Sequence, residues 1–233
     1  MIRTISPLAE FRRRSARWLP VVLLVLAAGC QTVRESMGAM TGAKDKEYFR
    51  PANFNGEPQL PATLHRVLLL PVCGGDLVPP ETSATLEEVF AVELQKQQRF
   101  EVVRLSRADC QRRFGAPEFS ATTALPHDFL NALGHDFDAE AVLFVDLTAY
   151  RAYRPLTLGM RAKLATVEPT RLLWTFDVIF SMDDPGVANS VRRFYHGTDA
   201  SGVPLDTGRG ALQSPGKFAA YVAAAMFNTL PAR

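Results

Sequence analysis

Residues 67–70 (Val-Leu-Leu-Leu) form an unbroken run of large apolar side chains. A strand with one solvent-exposed face alternates apolar and polar residues, so an unbroken run indicates a strand covered on both faces. Such a strand sits in the middle of a sheet that has helices on either side. The run therefore predicts a layered domain whose first strand is buried.

The next part of the chain alternates between helical and strand periodicity. Apolar residues recur at helical spacing in residues 83–98, and Ser106 and Gly115 are suited to begin and end a second helix. The predicted elements are a strand at 66–71, a helix at 83–98, a strand at 100–105, a helix between Ser106 and Gly115, and a helix at 126–133 closed by Gly134. This alternation predicts parallel strands joined by helices.

The second half of the chain changes to two-residue periodicity. Residues 141–150 open apolar and then alternate, and residues 156–164 and 174–180 alternate on either side of Glu168-Pro169-Thr170. This pattern is typical of an antiparallel meander. We predict helices from Asp184-Pro185 and from Ser214-Pro215, with a polar loop at 197–210 between them. The expected fold class is α/β with a mixed sheet: a parallel βαβ start, an antiparallel meander and a closing C-terminal helix.

The first 30 residues indicate export rather than folding. Arginines precede an apolar run that is shorter than the about 20 residues of a spanning helix. The run ends in Leu26-Ala27-Ala28-Gly29-Cys30, which resembles the lipobox of bacterial lipoproteins. That resemblance implies cleavage before Cys30 and attachment of lipid to its thiol. The alternatives are an uncleaved signal anchor and an ordinary secretory peptide.

The lipobox defines the predicted domains and location. We expect a signal peptide at 1–29, a lipidated flexible tether at 30–61, rich in Gly and Pro, and a single periplasmic domain at 62–233. Gln31 follows the cysteine, and the lack of Asp there implies sorting to the outer membrane in a Gram-negative source. The expected location is therefore the periplasmic face of the outer membrane, with the membrane as a partner through Cys30.

The charge of the chain argues against a nucleic-acid partner. The whole sequence has a formal net charge of +2, but residues 1–29 hold five arginines and one acid. The remaining chain has 21 basic and 23 acidic residues. A chain without a basic excess lacks the electrostatic basis of nucleic-acid binding.

Two cysteines besides Cys30 leave two alternatives open. Cys73 and Cys110 follow neighbouring predicted parallel strands, and an exported protein enters an oxidising compartment. They either form a disulfide or remain two buried free thiols.

The order of features in the domain is similar to a family of periplasmic lipoprotein domains. This family includes the curli-secretion-channel lipoprotein, the lipoprotein activators of penicillin-binding proteins and the amino-terminal domain of the Tol-Pal propeller protein. The similar stretches are residues 67–71, 99–103, 134–146, 158–164 and 171–174. The resemblance implies an architecture and a periplasmic setting of assembly or regulation, and it transfers no active residues. The curli channel builds a barrel from long hairpins, whereas the predicted hairpin around Glu168 is short, so we do not expect a pore.

We find no catalytic signature in the sequence. His135, Asp136 and Asp138 cluster near His127, but their spacing defines no metal site. Gly74-Gly75 lacks the phosphate-binding patterns, and Cys73 has no base assigned by spacing. We therefore predict no enzyme, no cofactor and no metal.

Three functional hypotheses remain from the sequence. The first is a non-enzymatic, membrane-anchored module that binds an envelope protein in envelope assembly, secretion or peptidoglycan control, with self-association as a further option. The second is a small-ligand or lipid-binding auxiliary lipoprotein of a transport system, with an apolar pocket under the last helix. The third and weakest is a hydrolase with an unrecognised site.

Overall fold

A computed structural model describes residues 47–198 and 213–233. Six strands and five helices occur in this part of the chain, and they confirm the predicted fold class. In chain order the elements are β1 (Phe54–Gly56), β2 (Arg66–Leu69), a 3-10 turn (Gly75–Leu77), α1 (Pro80–Gln95), β3 (Glu101–Arg104), α2 (Arg107–Phe114), α3 (Phe129–Phe137), β4 (Ala141–Arg151), β5 (Thr157–Thr166), β6 (Leu172–Ser181), α4 (Pro185–Thr198) and α5 (Pro215–Phe227).

All six strands belong to one mixed sheet with the order β1-β6-β5-β4-β2-β3. Strand β2 is parallel to both β3 and β4, as expected when strands are joined by helices. Strands β4, β5, β6 and β1 are antiparallel neighbours. The predicted parallel start and antiparallel meander are therefore both present, and β4 is the strand at which they join.

The sheet separates two apolar cores. The larger core lies between one face of the sheet and α1, α4 and α5, and it includes Phe90, Trp174 and Phe227. The smaller core lies on the opposite face, where α2 and α3 pack against Leu68 and Phe144. Strands β2 and β4 contribute side chains to both cores, which explains the apolar runs at residues 67–69 and 141–145.

Strands β5 and β6 contribute to one core only. Leu158, Met160, Ala162 and Leu164 of β5 face the larger core, as do the aromatic residues of β6. The alternate residues of β5 and β6 point to the opposite side of the sheet. On that side α2 and α3 cover β2 and β4 but not β5 and β6. We call this surface of β5 and β6 the open face. Its side chains are Arg161, Lys163, Thr175, Asp177 and Ile179.

The helix ends follow local capping chemistry in α2 but not in α3. The Ser106 hydroxyl accepts a hydrogen bond from the Asp109 N–H at 3.0 Å, and Gly115 ends α2 with φ of 76°, both as predicted. Helix α3 was predicted to stop before Gly134, but it continues to Phe137. A Cβ on Gly134 would lie 2.7 Å from Val167 Cγ1, so this glycine permits close packing rather than ending the helix.

The folded unit begins earlier than the sequence predicts. Residues 30–61 were predicted to be a tether, yet the folded unit starts at Glu47 and β1 lies within the supposed tether. Main-chain hydrogen bonds hold this segment, including Glu57 N–H to Leu173 O at 2.9 Å and Leu60 N–H to Ala232 O at 2.7 Å. Because most of its side chains remain exposed, hydrophobic patterning could not reveal the attachment.

Several predicted features lie outside the described residues. These are the signal peptide, Cys30, the first part of the tether and most of the predicted loop at 197–210. Within residues 47–198 and 213–233, none of the helices has the length and apolar character needed to cross a bilayer.

The close packing of Gly134 predicts that Gly134→Ala is destabilising. Overpacking costs about 1–3 kcal/mol, and the higher helix propensity of Ala returns up to about 1 kcal/mol. We expect the free energy of unfolding to fall by about 1–2 kcal/mol in urea titrations. Gly216→Ala is the matched control, because a Cβ at Gly216 in α5 meets nothing within 4 Å. The explanation fails if both substitutions stabilise the protein equally.

Candidate functional site

The carboxyl ends of β2, β3 and β4 meet at one edge of the sheet, which we call the carboxyl edge. The turn after β2 lies here, and an isolated bridge joins Cys73 to Asp146 of β4. The α2–α3 loop (residues 115–128) also reaches this edge. In open α/β sheets this edge is the usual position of functional sites.

Glu118 fastens the α2–α3 loop to the turn after β2. Its carboxylate accepts hydrogen bonds from the Gly74 N–H at 3.2 Å and the Gly75 N–H at 3.0 Å. Arg107 donates to Glu118 and to the Val72 carbonyl. Burial raises the pKa of Glu118, but Arg107 and the Gly75 N–H outweigh it and leave the pKa lowered. The charged carboxylate thus closes the loop onto the turn.

Asp146 fastens the same loop to the centre of the sheet. It is only 5% exposed, and it accepts hydrogen bonds from the Ser120 hydroxyl at 2.8 Å and from the Ala121 N–H at 3.1 Å. Lys163 of β5 donates to the Ala121 carbonyl at 2.7 Å. Burial raises the pKa of Asp146, although Ser120 and Ala121 counteract it. Both oxygens of this carboxylate are occupied in holding the loop.

Glu87 is a further carboxylate near this edge, and it is buried. It projects from α1 and accepts a hydrogen bond from the Val72 N–H at 3.3 Å. Arg107 lies 3.4 Å and Arg104 lies 3.6 Å from its oxygens. Burial raises the pKa of Glu87, and the two arginines oppose that effect. This side chain joins α1 to the end of β2.

Both cysteines of the domain are free thiols in the structure. Cys73 is half-buried just beyond β2, whereas Cys110 is buried within α2. Burial, together with the nearby Glu118 and Asp146 carboxylates, raises the pKa of Cys73 to about 12. Burial likewise raises the pKa of Cys110 to about 11. Neither environment favours the thiolate that nucleophilic chemistry requires.

A small polar cleft opens beside these groups. Its volume is ≈ 380 Å³, and Gly75, Asp146, Thr148 and Arg161 are among the residues that line it. Arg161 pairs with Asp177 at 2.8 Å rather than facing the cleft alone. Asp146 and Arg161 are therefore committed to the protein's own structure, whereas the Thr148 hydroxyl is buried without a hydrogen-bond partner in the described residues.

The histidine cluster considered from the sequence is not assembled. The side chains of His127 and His135 are 94% and 90% exposed, and each lies next to the aspartate that follows it in the chain. Asp138 instead pairs with Arg66 at 3.0 Å. In the part of the chain that the structure describes, no three His, Cys, Asp or Glu residues are arranged to hold a metal ion.

The amino ends of the parallel strands border a wider groove. Its volume is ≈ 710 Å³, and it lies between α3 and the β5–β6 hairpin. Asn131, His135, Glu168 and Arg171 line it together with apolar residues such as Leu64. This groove is broad, shallow and of mixed polarity, unlike the closed apolar pocket expected under the last helix.

The open face is a sheet surface that α2 and α3 leave uncovered. On it Arg161 pairs with its cross-strand neighbour Asp177, and Asn53 donates a hydrogen bond to the Asp177 carbonyl at 2.8 Å. Ile179 lies on the same surface and is 57% exposed. A flat surface that mixes paired charges with an exposed apolar residue can recognise another protein.

Several solved structures are similar to this chain at low sequence identity. Neither a family model nor a curated protein matches the chain. A PelC dodecamer from Paraburkholderia phytofirmans is similar at 14% identity and a TM-score of 0.43, covering 78% of this chain and 97% of that one. Lipoprotein GNA1162 from Neisseria meningitidis is similar at 15% identity and a TM-score of 0.41, covering 58% of this chain and 99% of that one. The LpoB C-terminal domain from Salmonella enterica is similar at 14% identity and a TM-score of 0.35, covering 51% of this chain and 84% of that one. Of these three proteins, GNA1162 is described as a lipoprotein.

The opposite pKa shifts of Asp146 and Glu118 predict opposite pH effects on stability. The raised native pKa of Asp146 gives stability that is present below its unfolded value of 3.8 and is lost as pH rises through the native value. The lowered native pKa of Glu118 gives stability that is present above 4.5 and is lost as pH falls.

Urea titrations from about pH 3 to about pH 7 test this sign difference. Relative to wild type, Asp146→Asn should become more stable as pH rises, and Glu118→Gln should become less stable. Each variant serves as the control for the other. Parallel pH profiles for the two variants would contradict the assignment.

The raised pKa of Cys73 predicts slow alkylation. Compared with a thiol of pKa about 8.5, its smaller thiolate fraction is partly offset by greater nucleophilicity, which leaves a rate about a hundredfold lower at neutral pH. Labelling is measured by mass spectrometry in a Cys30→Ser chain, with Leu77→Cys as the exposed comparison. Equal rates at positions 73 and 77 would refute the expectation. Labelling that requires prior reduction would reveal a disulfide between Cys73 and Cys110.

Proposed function

We propose that this chain is a non-enzymatic, lipid-anchored module that binds an envelope protein partner. In this proposal the signal peptide 1–29 is removed, Cys30 carries the lipid, and the domain lies in the periplasm against the outer membrane. The partner acts in envelope assembly, secretion or peptidoglycan control. The open face is the observation that carries the proposal.

The length of chain before the folded unit limits where the partner can be. Cys30 and Glu47 are 17 residues apart, and a fully extended chain spans about 3.3–3.6 Å per residue. The domain then lies within about 60 Å of the membrane surface. A partner must reach the same layer of the periplasm.

The open face supports binding rather than catalysis. The carboxylates of Glu87, Glu118 and Asp146 each hold a main-chain segment, so their polar atoms already have partners. On the open face, by contrast, Lys163, Thr175 and Asp177 are half-buried and Ile179 is exposed. This distribution matches a docking surface, whose specificity comes from several modest polar contacts around apolar ones.

The sheet also offers two edge strands to a partner. Strand β1 pairs only with β6, and β3 pairs only with β2 within the described residues. All three residues of β1 are exposed. An extended peptide could add to such an edge through main-chain hydrogen bonds. The open face and the β1 edge are contiguous, so one partner can use both.

The ligand-binding alternative has a different location. The groove at the amino ends of the parallel strands is large enough for a small molecule. The predicted pocket under α5 is not supported, because Phe218, Val222, Met226 and Phe227 of this helix are buried in the larger core. Uptake of a hydrophobic probe by delipidated protein would favour this alternative.

Site-specific photo-crosslinking in living cells tests the proposed function. A photoreactive amino acid replaces Thr175 on the open face of the lipidated protein, and a matched variant carries it at Val92, an exposed position on α1. We expect a repeated heteropartner from position 175 that is absent from position 92 and absent in Cys30→Ala cells. Mass spectrometry identifies the product.

Three outcomes would overturn or redirect the proposal. Equal capture at both positions would remove the open face from consideration. A ladder of self-products would indicate a homo-oligomer instead of a heteropartner. Modification of an envelope substrate by the purified protein, abolished by changes at Cys73 or His135, would make it an enzyme.

A further inference from the structure

The folded unit receives the chain from Cys30 at the carboxyl edge of the sheet. Strand β1 runs antiparallel to β6, so the residues before β1 lie beside the carboxyl-terminal half of β6. The Phe49 N–H donates to the Gly186 carbonyl at 3.2 Å, and the Phe49 ring lies 5.1 Å from that of Phe180. The entry point is therefore next to the β6–α4 connection.

The hairpin that joins β4 and β5 is at the same edge. Its tip is residues 152–156, which follow Arg151 at the end of β4, and β5 begins beside the last residue of β6, with Thr157 opposite Ser181. Tyr153 at the tip is 83% exposed, more than any other large apolar or aromatic side chain in the described residues. A folded protein gains nothing internally from such a side chain.

Two arginines flank the exposed tyrosine. Arg151 and Arg154 are both exposed, and no ion pair or hydrogen bond of their side chains occurs among the described residues. The chain contains no acidic residue between Asp146 and Glu168. The tip is thus a basic and aromatic projection whose charges are not neutralised by its own hairpin.

Other exposed apolar and aromatic groups lie at the same edge. Leu77 in the turn after β2 is 50% exposed. Tyr48 lies in the segment that precedes β1, and the Arg193 guanidinium carbon lies 4.8 Å from the centre of the Tyr48 ring. Acidic neighbours are Glu47, Asp76, Asp183 and Asp184, of which Asp184 accepts a hydrogen bond from the Gly186 N–H at 2.7 Å. None of these carboxylates pairs with Arg151 or Arg154 in the described residues.

We infer that the β4–β5 hairpin tip is a membrane-contact element that rests on the phosphate-bearing headgroups of the bilayer to which Cys30 is attached. Tyrosine prefers the membrane interface, where its ring is buried and its hydroxyl stays hydrated. Arginines beside it pair with phosphates and are attracted by anionic lipid. A single edge that combines the entry point, Arg151, Tyr153 and Arg154 gives the domain a fixed orientation on the membrane.

This inference rests on the lipid anchor of the proposed function but not on its protein partner. The acyl chains on Cys30 hold the protein on the membrane, and the tip adds a second, weaker contact that orients the domain. The lipid on Cys30 is verified by intact mass before the experiment, so failure of the anchor is detected separately. Loss of the partner would not affect contact of the tip with lipid.

Depth-dependent fluorescence quenching tests the inference with the full lipidated protein. Tyr153→Trp reports on the tip, and Leu172→Trp is the matched control, because Leu172 is exposed at the opposite end of β6. Trp174 is buried and common to both variants. In vesicles of phosphatidylethanolamine and phosphatidylglycerol with brominated acyl chains, we expect quenching at position 153 and none at 172. Adding Arg151→Ala or Arg154→Ala should weaken the contact about fivefold per arginine.

The outcomes separate this inference from its competitors. Equal quenching at positions 153 and 172, or none at 153, would overturn it. Quenching that is unchanged by the arginine substitutions would overturn the role of the phosphates. A photoreactive amino acid at position 153 that captures a protein in cells, without quenching in vesicles, would make the tip a protein-docking element instead.

Discussion

The burial of β4 on both faces is the constraint on which the rest of the structure depends. All residues from Ala141 to Leu147 are buried, and they alternate between the two cores. The same strand pairs in parallel with β2 and in antiparallel with β5. Asp146 can hold the α2–α3 loop only because β4 directs it away from the larger core. The loop, the cleft and the open face all take their positions from this strand.

Sequence periodicity predicted the strands that are held in place by burial of their apolar side chains. The alternation in β5 and β6 and the apolar runs in β2 and β4 each correspond to observed burial. Strand β1 escaped prediction because main-chain hydrogen bonds, rather than apolar side chains, attach it to β6. The predicted end of α3 was wrong because Gly134 is needed for close packing against Val167, which is 33 residues later in the chain.

The contacts at the carboxyl edge could not be predicted in the same way. Glu118 binds Gly75 across 43 residues, and Ser120 binds Asp146 across 26. Such pairs depend on how the α2–α3 loop crosses the sheet, which no local pattern records. The sequence did single out Cys73, but its thiol is controlled by two carboxylates that only the fold brings near. The hairpin tip, by contrast, has a signal in the acid-free stretch around Tyr153.

The direction of the strands links the two proposals. If the carboxyl edge rests on the membrane, β4, β5 and β6 run along the membrane normal. The open face then stands perpendicular to the bilayer plane and faces the space beside the domain. The β1 edge then also faces sideways, and the groove at the amino ends of the parallel strands faces away from the membrane. A partner bound to the open face would therefore stand beside the domain on the same membrane. A molecule that occupies the groove would approach from the periplasmic side, so the two surfaces can be used without competing.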